Sequence, residues 1–216
     1  MQTAAVLGWA LVGAALALML RPIVIRYAAA SEPATAPPPL GLLEAVTAIV
    51  FAALACRFDW SLELVAYSGI GGFGVPLATI DLLVHKLPNI LLGTAFAVLG
   101  ISLGADAALN AHGGNFARAA SAMAVALAVN GALYALGGIA GGDMKLAGLL
   151  GTGLGWISWE AVWAGLAAGW LLGGTVVGAA RIVGKQGASG DIPLGPFLLA
   201  GALPFLLYFG SSTVVR

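Results

Sequence analysis

The sequence predicts an all-α fold, a polytopic transmembrane helical bundle of about eight helices. Three observations carry that reading. Of the 216 residues, 61% are hydrophobic and only 8% are charged, against about 25% charged in soluble domains. The mean hydropathy is +1.02. The apolar residues fall into long runs, broken by short stretches rich in proline, glycine and charge. Two function classes drop out at once. Nine basic and nine acidic residues balance to a net charge of zero, which offers no basic field for nucleic acid. Cys56 is the single cysteine, so one chain builds neither a disulfide nor a four-thiolate zinc site.

The first apolar run, residues 3–20, is long enough to span a bilayer and is followed by Arg21 and Arg26. A secretory signal would carry its positive charge before the run, so this reads as an uncleaved helix with its N-terminus outside. Residues 27–39 are proline-rich and read as a linker that cannot continue a helix. That divides the chain into residues 1–39, a first helix with its linker, and residues 40–216, the main membrane domain. Further spans are expected near Leu40–Cys56 and Leu62–Ile80. A fourth begins after Pro88, which suits the first turn of a helix, and runs to about Leu103. Residues 104–116, with Asp106, Asn110, His112 and, after Gly104, two further glycines, read as a loop. Spans then follow near Ala117–Leu136, Met144–Trp156 (short, with Gly138–Gly142 available to extend it), Trp159–Ala180 and Pro196–Gly210. The stretch Arg181–Asp191 is polar. Gly100/Gly104, Gly151/Gly155 and Gly165/Gly169/Gly173 have the small-xxx-small spacing that lets membrane helices approach closely.

Counting bases orients the chain. With the N-terminus outside, inner loops collect Arg21, Arg26, Lys86, Lys145, Arg181 and Lys185, and the outer side keeps Arg57, Arg118 and Arg216. Inner loops of membrane proteins are enriched in Lys and Arg, which favours this orientation. Trp60, Trp156 and Trp159 then fall near the outer interface. Asp81 and Asp143 fall at the inner ends of their helices, on the same side.

Those two acids are the centre of the functional reading. A charged residue at membrane depth costs roughly 2.5–3.5 kcal/mol on insertion scales, so it is rare and usually functional. Gly138, Gly141 and Gly142, just before Asp143, suit irregular backbone, close helix approach or a peptide lying beside the acid. Two carboxylates sharing a proton can hydrolyse a peptide without metal or covalent nucleophile: one activates water while the other protonates the substrate. The plain alternatives are Asp81 paired with His85 or Lys86 near water, and Asp143 paired with Lys145. Residues two apart on a helix do not face each other, which weakens the second pairing.

Four blocks extend the pattern: Leu42–Ala48 with Arg57-Phe58; Ile80-Asp81-Leu82 with Leu87-Pro88-Asn89; Gly142-Asp143-Met144-Lys145-Leu146 running on to Trp156; and Ile192–Leu198. In that order they resemble the type IV prepilin peptidases, intramembrane aspartic peptidases of the GxGD class, over residues 40 to 210. Ala140 stands where the strict motif has its first glycine. The resemblance implies that Asp81 and Asp143 are the catalytic aspartates, with Gly141, Gly142, Lys145 and Glu44 in supporting positions. It implies cleavage of the leader from prepilins or pseudopilins at the cytoplasmic face of a bacterial-type inner membrane. The substrate's hydrophobic helix would stay in the bilayer. Long members of the family carry a cysteine-rich zinc insert after the first helix and also N-methylate the product. Here the matching residues, about 21–39, hold no cysteine. The expectation is a peptidase alone, without metal or cofactor, whose partners are its substrates and the lipid bilayer.

Other polar residues read more plainly. Glu44 either orients the site or pairs with an arginine. Lys145 reads as an interface cation, His85 and Lys86 as loop residues, Asn130 as a hydrogen bond between helices, and Asp106 and His112 as outer-loop residues. A rival reading takes the same acids as proton or ion sites of a small transporter. A third is an assembly subunit without catalysis.

Overall fold

The computed structural model describes residues 3–31, 35–182 and 193–209. Among them are eight α-helices: α1 Thr3–Ala29, α2 Leu42–Arg57, α3 Leu62–Val84, α4 Asn89–Leu109, α5 Gly113–Ala135, α6 Gly141–Ile157, α7 Trp159–Ile182 and α8 Gly195–Phe209. Five of them, α1, α3, α4, α5 and α7, are long and apolar enough to cross a membrane. Such a set of apolar helices belongs to a multi-pass membrane protein. The short α2 and α6 have 16 and 17 residues. The expected polar stretch at 183–191, with Lys185, lies outside the described residues, as do Ile192 and Arg216.

Sequential helices pack as hairpins, α1 on α2, α3 on α4, α5 on α6 and α7 on α8, and α3 and α6 form the interior. Glycine explains why α3 can sit there. A Cβ added at Gly69 would stand 2.6 Å from Val98 of α4, at Gly71 2.6 Å from Val50 of α2, at Gly72 2.6 Å from Leu16 of α1, and at Gly74 2.9 Å from Leu199 of α8. Each glycine therefore receives a side chain from a different neighbour. Close packing of this kind replaces the hydrophobic drive that lipid does not supply between membrane helices.

Two of the three expected glycine pairs pack as their spacing predicts. Gly151 and Gly155 admit Ala126 and Ala122 of α5, and Gly165, Gly169 and Gly173 receive Leu154, Leu198 and Leu194. Gly100 faces open space and Gly104 meets only Phe116, so the first pair makes no helix crossing.

Several boundaries differ from expectation. The first helix runs through Pro22 to Ala29 rather than stopping before a linker at 27. Val24 and Ala28 are buried in that extension, and burial outweighs the lost backbone bond at proline. The expected loop at 104–116 shrinks to residues 110–112. Asp106 is inside α4, 4% exposed, and its carboxylate accepts from Asn110 Nδ2 at 2.8 Å and meets His112 Nδ1 at 2.6 Å. Those partners satisfy the buried acid and let the helix continue. Trp156 is buried within the protein and donates its indole N–H to Glu63 at 2.7 Å. Asn130 bonds to Ala126 O of its own helix, not across helices.

At that end of the bundle Arg118 of α5 closes α6. Its guanidinium donates to the carbonyls of Gly155 at 2.7 Å, Trp156 at 2.5 Å and Ile157 at 2.9 Å. These are carbonyls that a helix C-terminus leaves without intrahelical partners. Replacing Arg118 by leucine is expected to lower stability by at least one charged hydrogen bond, roughly 1.5–3 kcal/mol. Thermal unfolding in detergent or nanodiscs reads this directly, and an unchanged midpoint would mean that the carbonyls find other partners.

Candidate active site

Asp81 occupies the last turn of α3. The helix ends at His85, whose φ of 52° is left-handed, and the chain turns through Leu87 and Pro88 into α4. Asp143 occupies the first turn of α6, with its N–H 3.1 Å from Ala140 O. The glycine run fixes the approach. A Cβ at Gly142 would stand 2.8 Å from that of Leu87, so α6 begins directly against the α3–α4 turn. Gly141 has looser surroundings, its nearest neighbour being the Tyr134 ring at 3.5 Å.

A third helix end joins them. Gly195, at the start of α8, donates its backbone N–H to Asp81 Oδ2 at 2.9 Å. Asp81 thus faces the N-terminus of α8, while Asp143 sits at that of α6. Helix N-termini carry partial positive charge and stabilise nearby anions, which offsets part of the cost of burying two acids.

Both carboxyl groups belong to residues only 4% exposed, and both line one cleft of about 450 Å³. Tyr27, His85, Lys86, Asn89 and Lys145 complete its walls. Asp143 Oδ1 is buried without a hydrogen-bond partner in the protein. A buried, unpartnered carboxylate oxygen is uncommon and calls for a reason.

No family model, curated protein or solved structure matches this chain.

The other expected site residues divide. Lys145 stands at the rim and donates to Asn89 Oδ1 at 2.8 Å. It ties α6 to α4 and is not the ion-pair partner of Asp143. Glu44 does not line the cleft. It pairs with Arg21 at 3.2 Å and accepts from Gly41 N at 3.0 Å, while Arg21 also donates to Pro38 O at 2.9 Å. The pair therefore holds the linker between α1 and α2. His85 and Lys86 wall the cleft, beyond the loop role expected of them.

Sequence reasoning missed Tyr27 and gave no separate role to Asn89 and Gly195. The latter two lay inside motif blocks already singled out. Tyr27 falls among the residues that read as a linker, although the apolar residues Ile23, Val24, Ile25 and Ala28 around it carry a helical signal across Pro22.

Proposed function

We propose that this protein is a membrane aspartic endopeptidase that removes leader peptides from type IV prepilins or prepilin-like proteins. One observation carries the reading: Asp81 and Asp143, 62 residues apart in sequence, are buried, line a single cleft, and leave one carboxylate oxygen unpartnered. The order of the motif blocks supports the substrate class.

In the proposed reaction a water lies between the two acids. The ionised carboxylate takes its proton as the oxygen attacks the scissile carbonyl, and the protonated partner gives its proton to the carbonyl oxygen. The tetrahedral intermediate then collapses, the C–N bond breaks, and a proton passes to the leaving amine. A second negative charge in the same cleft is disfavoured, so in this scheme the pair holds one proton as a unit. Gly142 is taken up by Leu87, while Gly141 leaves the start of α6 less crowded at the cleft wall, where an extended peptide can lie beside the acid. Asp81 and Asp143 would act at the cytoplasmic face of an inner membrane in this scheme, and no metal or methyl donor takes part.

The test is direct. The full chain, reconstituted with a prepilin, is assayed for leader loss by gel shift and mass spectrometry. Failure to cut any of a panel of prepilins and pseudopilins would sink the reading, and acid-dependent ion flux in the same vesicles would favour a transporter. The same assay carries a pH prediction. Activity requires one acid ionised and one protonated, so kcat/KM should trace a bell against pH. A flat profile would remove the shared-proton pair.

A further inference from the structure

Three cavities meet at one side chain. Tyr27 lines the acid cleft, a neighbouring cavity of about 600 Å³ bordered by Ser31, Thr35, His85 and Lys86, and a groove of about 450 Å³ between Ile23 and Arg26 of α1, Ala30 just beyond it, and Ile90 of α4. Only the continuation of α1 past Pro22 puts it there. Val24 and Ala28 bury one face of that extension and fix the helix, while Tyr27 remains half-buried, packed against the core.

The groove differs in character from the cleft. Its walls are largely apolar, and Ile90 is 68% exposed. It opens where α1 and α4 flank α3, on a surface of apolar helices, whereas the cleft is edged by His85, Lys86, Asn89 and Lys145. Moving from the groove to the acids means passing Tyr27.

We propose that Tyr27 sets where the chain is cut: the substrate's apolar helix docks in the Ile23–Ile90 groove, and the segment leading into it bends past the Tyr27 ring to reach the two acids. This rests on the peptidase reading above. The helix supplies an apolar face that matches the groove and, being a spanning segment, stays at that depth. The ring then acts as a stop that fixes how many residues separate the start of the helix from the scissile bond. Tyr27 is a positioning residue, and its ring rather than its hydroxyl performs the work.

Two variants test this on the full chain. Tyr27→Phe keeps the ring and should hold both rate and cleavage position, within about twofold. Tyr27→Ala should spread cleavage over neighbouring peptide bonds, read by mass spectrometry of the products. A slower enzyme that still cuts one bond would overturn the proposal, because a purely structural tyrosine alters amount and not position. Ile90→Trp fills the groove from an exposed position and leaves the acids alone. It should slow cleavage of a membrane-embedded prepilin on the order of 10²-fold, the scale of a misplaced substrate. A short peptide spanning only leader and scissile bond should be cut as before. Equal loss on both substrates would overturn the groove.

Docking is also read without catalysis. Ile90→Cys is combined with Cys56→Ser, since Cys56 is exposed, and with Asp81→Asn to hold the substrate uncut. Disulfide trapping against cysteines stepped along the substrate helix should follow one helical face. A cysteine at exposed Leu171 on α7 serves as the background. Trapping above background, together with no cleavage by the chain that retains Asp81, would retain the groove and reject the peptidase reading. Cleavage with trapping no better than at Leu171 would do the reverse.

Discussion

Asp143→Asn is expected to abolish leader cleavage while leaving the protein as stable as the wild type, or more so. Loss of one group in acid–base catalysis costs about 10²–10⁴-fold, and paired groups that act as a unit lose nearly everything when one is removed. The stability half follows from the unpartnered Oδ1. A buried carboxylate oxygen without a donor is a cost to the fold, and a neutral amide of the same shape reduces it. Asp81→Asn should be equally inactive. Its amide oxygen can still accept the Gly195 N–H, so the link between α3 and α8 survives that change. The measurement is leader loss together with membrane level and thermal midpoint for each variant. Residual cleavage near wild type in either would end the two-acid mechanism. A large drop in stability for Asp143→Asn would mean that the carboxylate has a structural partner.

Gly195→Ala is the second change with a large expected effect, and it adds a single methyl group. A Cβ at that position would stand 2.9 Å from Asp81 Oδ2, 3.4 Å from its Cγ and 3.5 Å from its Cβ. The whole end of the side chain is crowded, so Asp81 must turn or α8 must retreat. Misplacement of a reacting group by about 1 Å can cost on the order of 10²-fold. The loss should appear in kcat, because the groove between α1 and α4 is untouched. Activity within about twofold of wild type would show that Asp81 has room to adjust, and that Gly195 merely starts a helix.

The sequence makes the two acids visible because chemistry isolates them. An aspartate beside a long apolar run stands out because burying it is costly, and glycines before it signal a close approach. What it does not show is who approaches. Gly141-Gly142 gives no hint that Leu87 is the neighbour, and Asp81 carries no local sign that the N-terminus of α8 will meet it from 114 residues away. The same limit explains the errors. Residues 27–39 read as a linker, yet α1 runs through Pro22 to Ala29, with Val24 and Ala28 buried along the extension. Asp106, Asn110 and His112 read as a loop because such residues favour turns, but their mutual hydrogen bonds bury the acid within α4. Spacing also misleads in glycine. Gly100/Gly104 has the right interval and receives no close neighbour beyond the Phe116 ring at 3.7 Å, while Gly69–Gly74 on α3 gathers four helices without a simple repeat. Periodicity describes what one helix offers. Packing depends on what arrives.

The length of α6 has a consequence of its own. Seventeen residues, at 1.5 Å each, make a rod of about 25 Å, against a hydrocarbon layer of about 30 Å. Arg118 ties the far end of this rod to polar surroundings, and Asp143 stands at the other end. A helix that falls short leaves its polar tip below the level of the lipid headgroups, and the bilayer thins or water descends to meet it. If α6 spans the layer, as the proposed topology requires, Asp143 stands recessed at the foot of a shallow well whose depth is set by a mismatch of a few ångströms. A spanning helix in a neighbouring molecule would reach that depth with its end still in lipid, so water and chain would arrive at the acid from opposite directions.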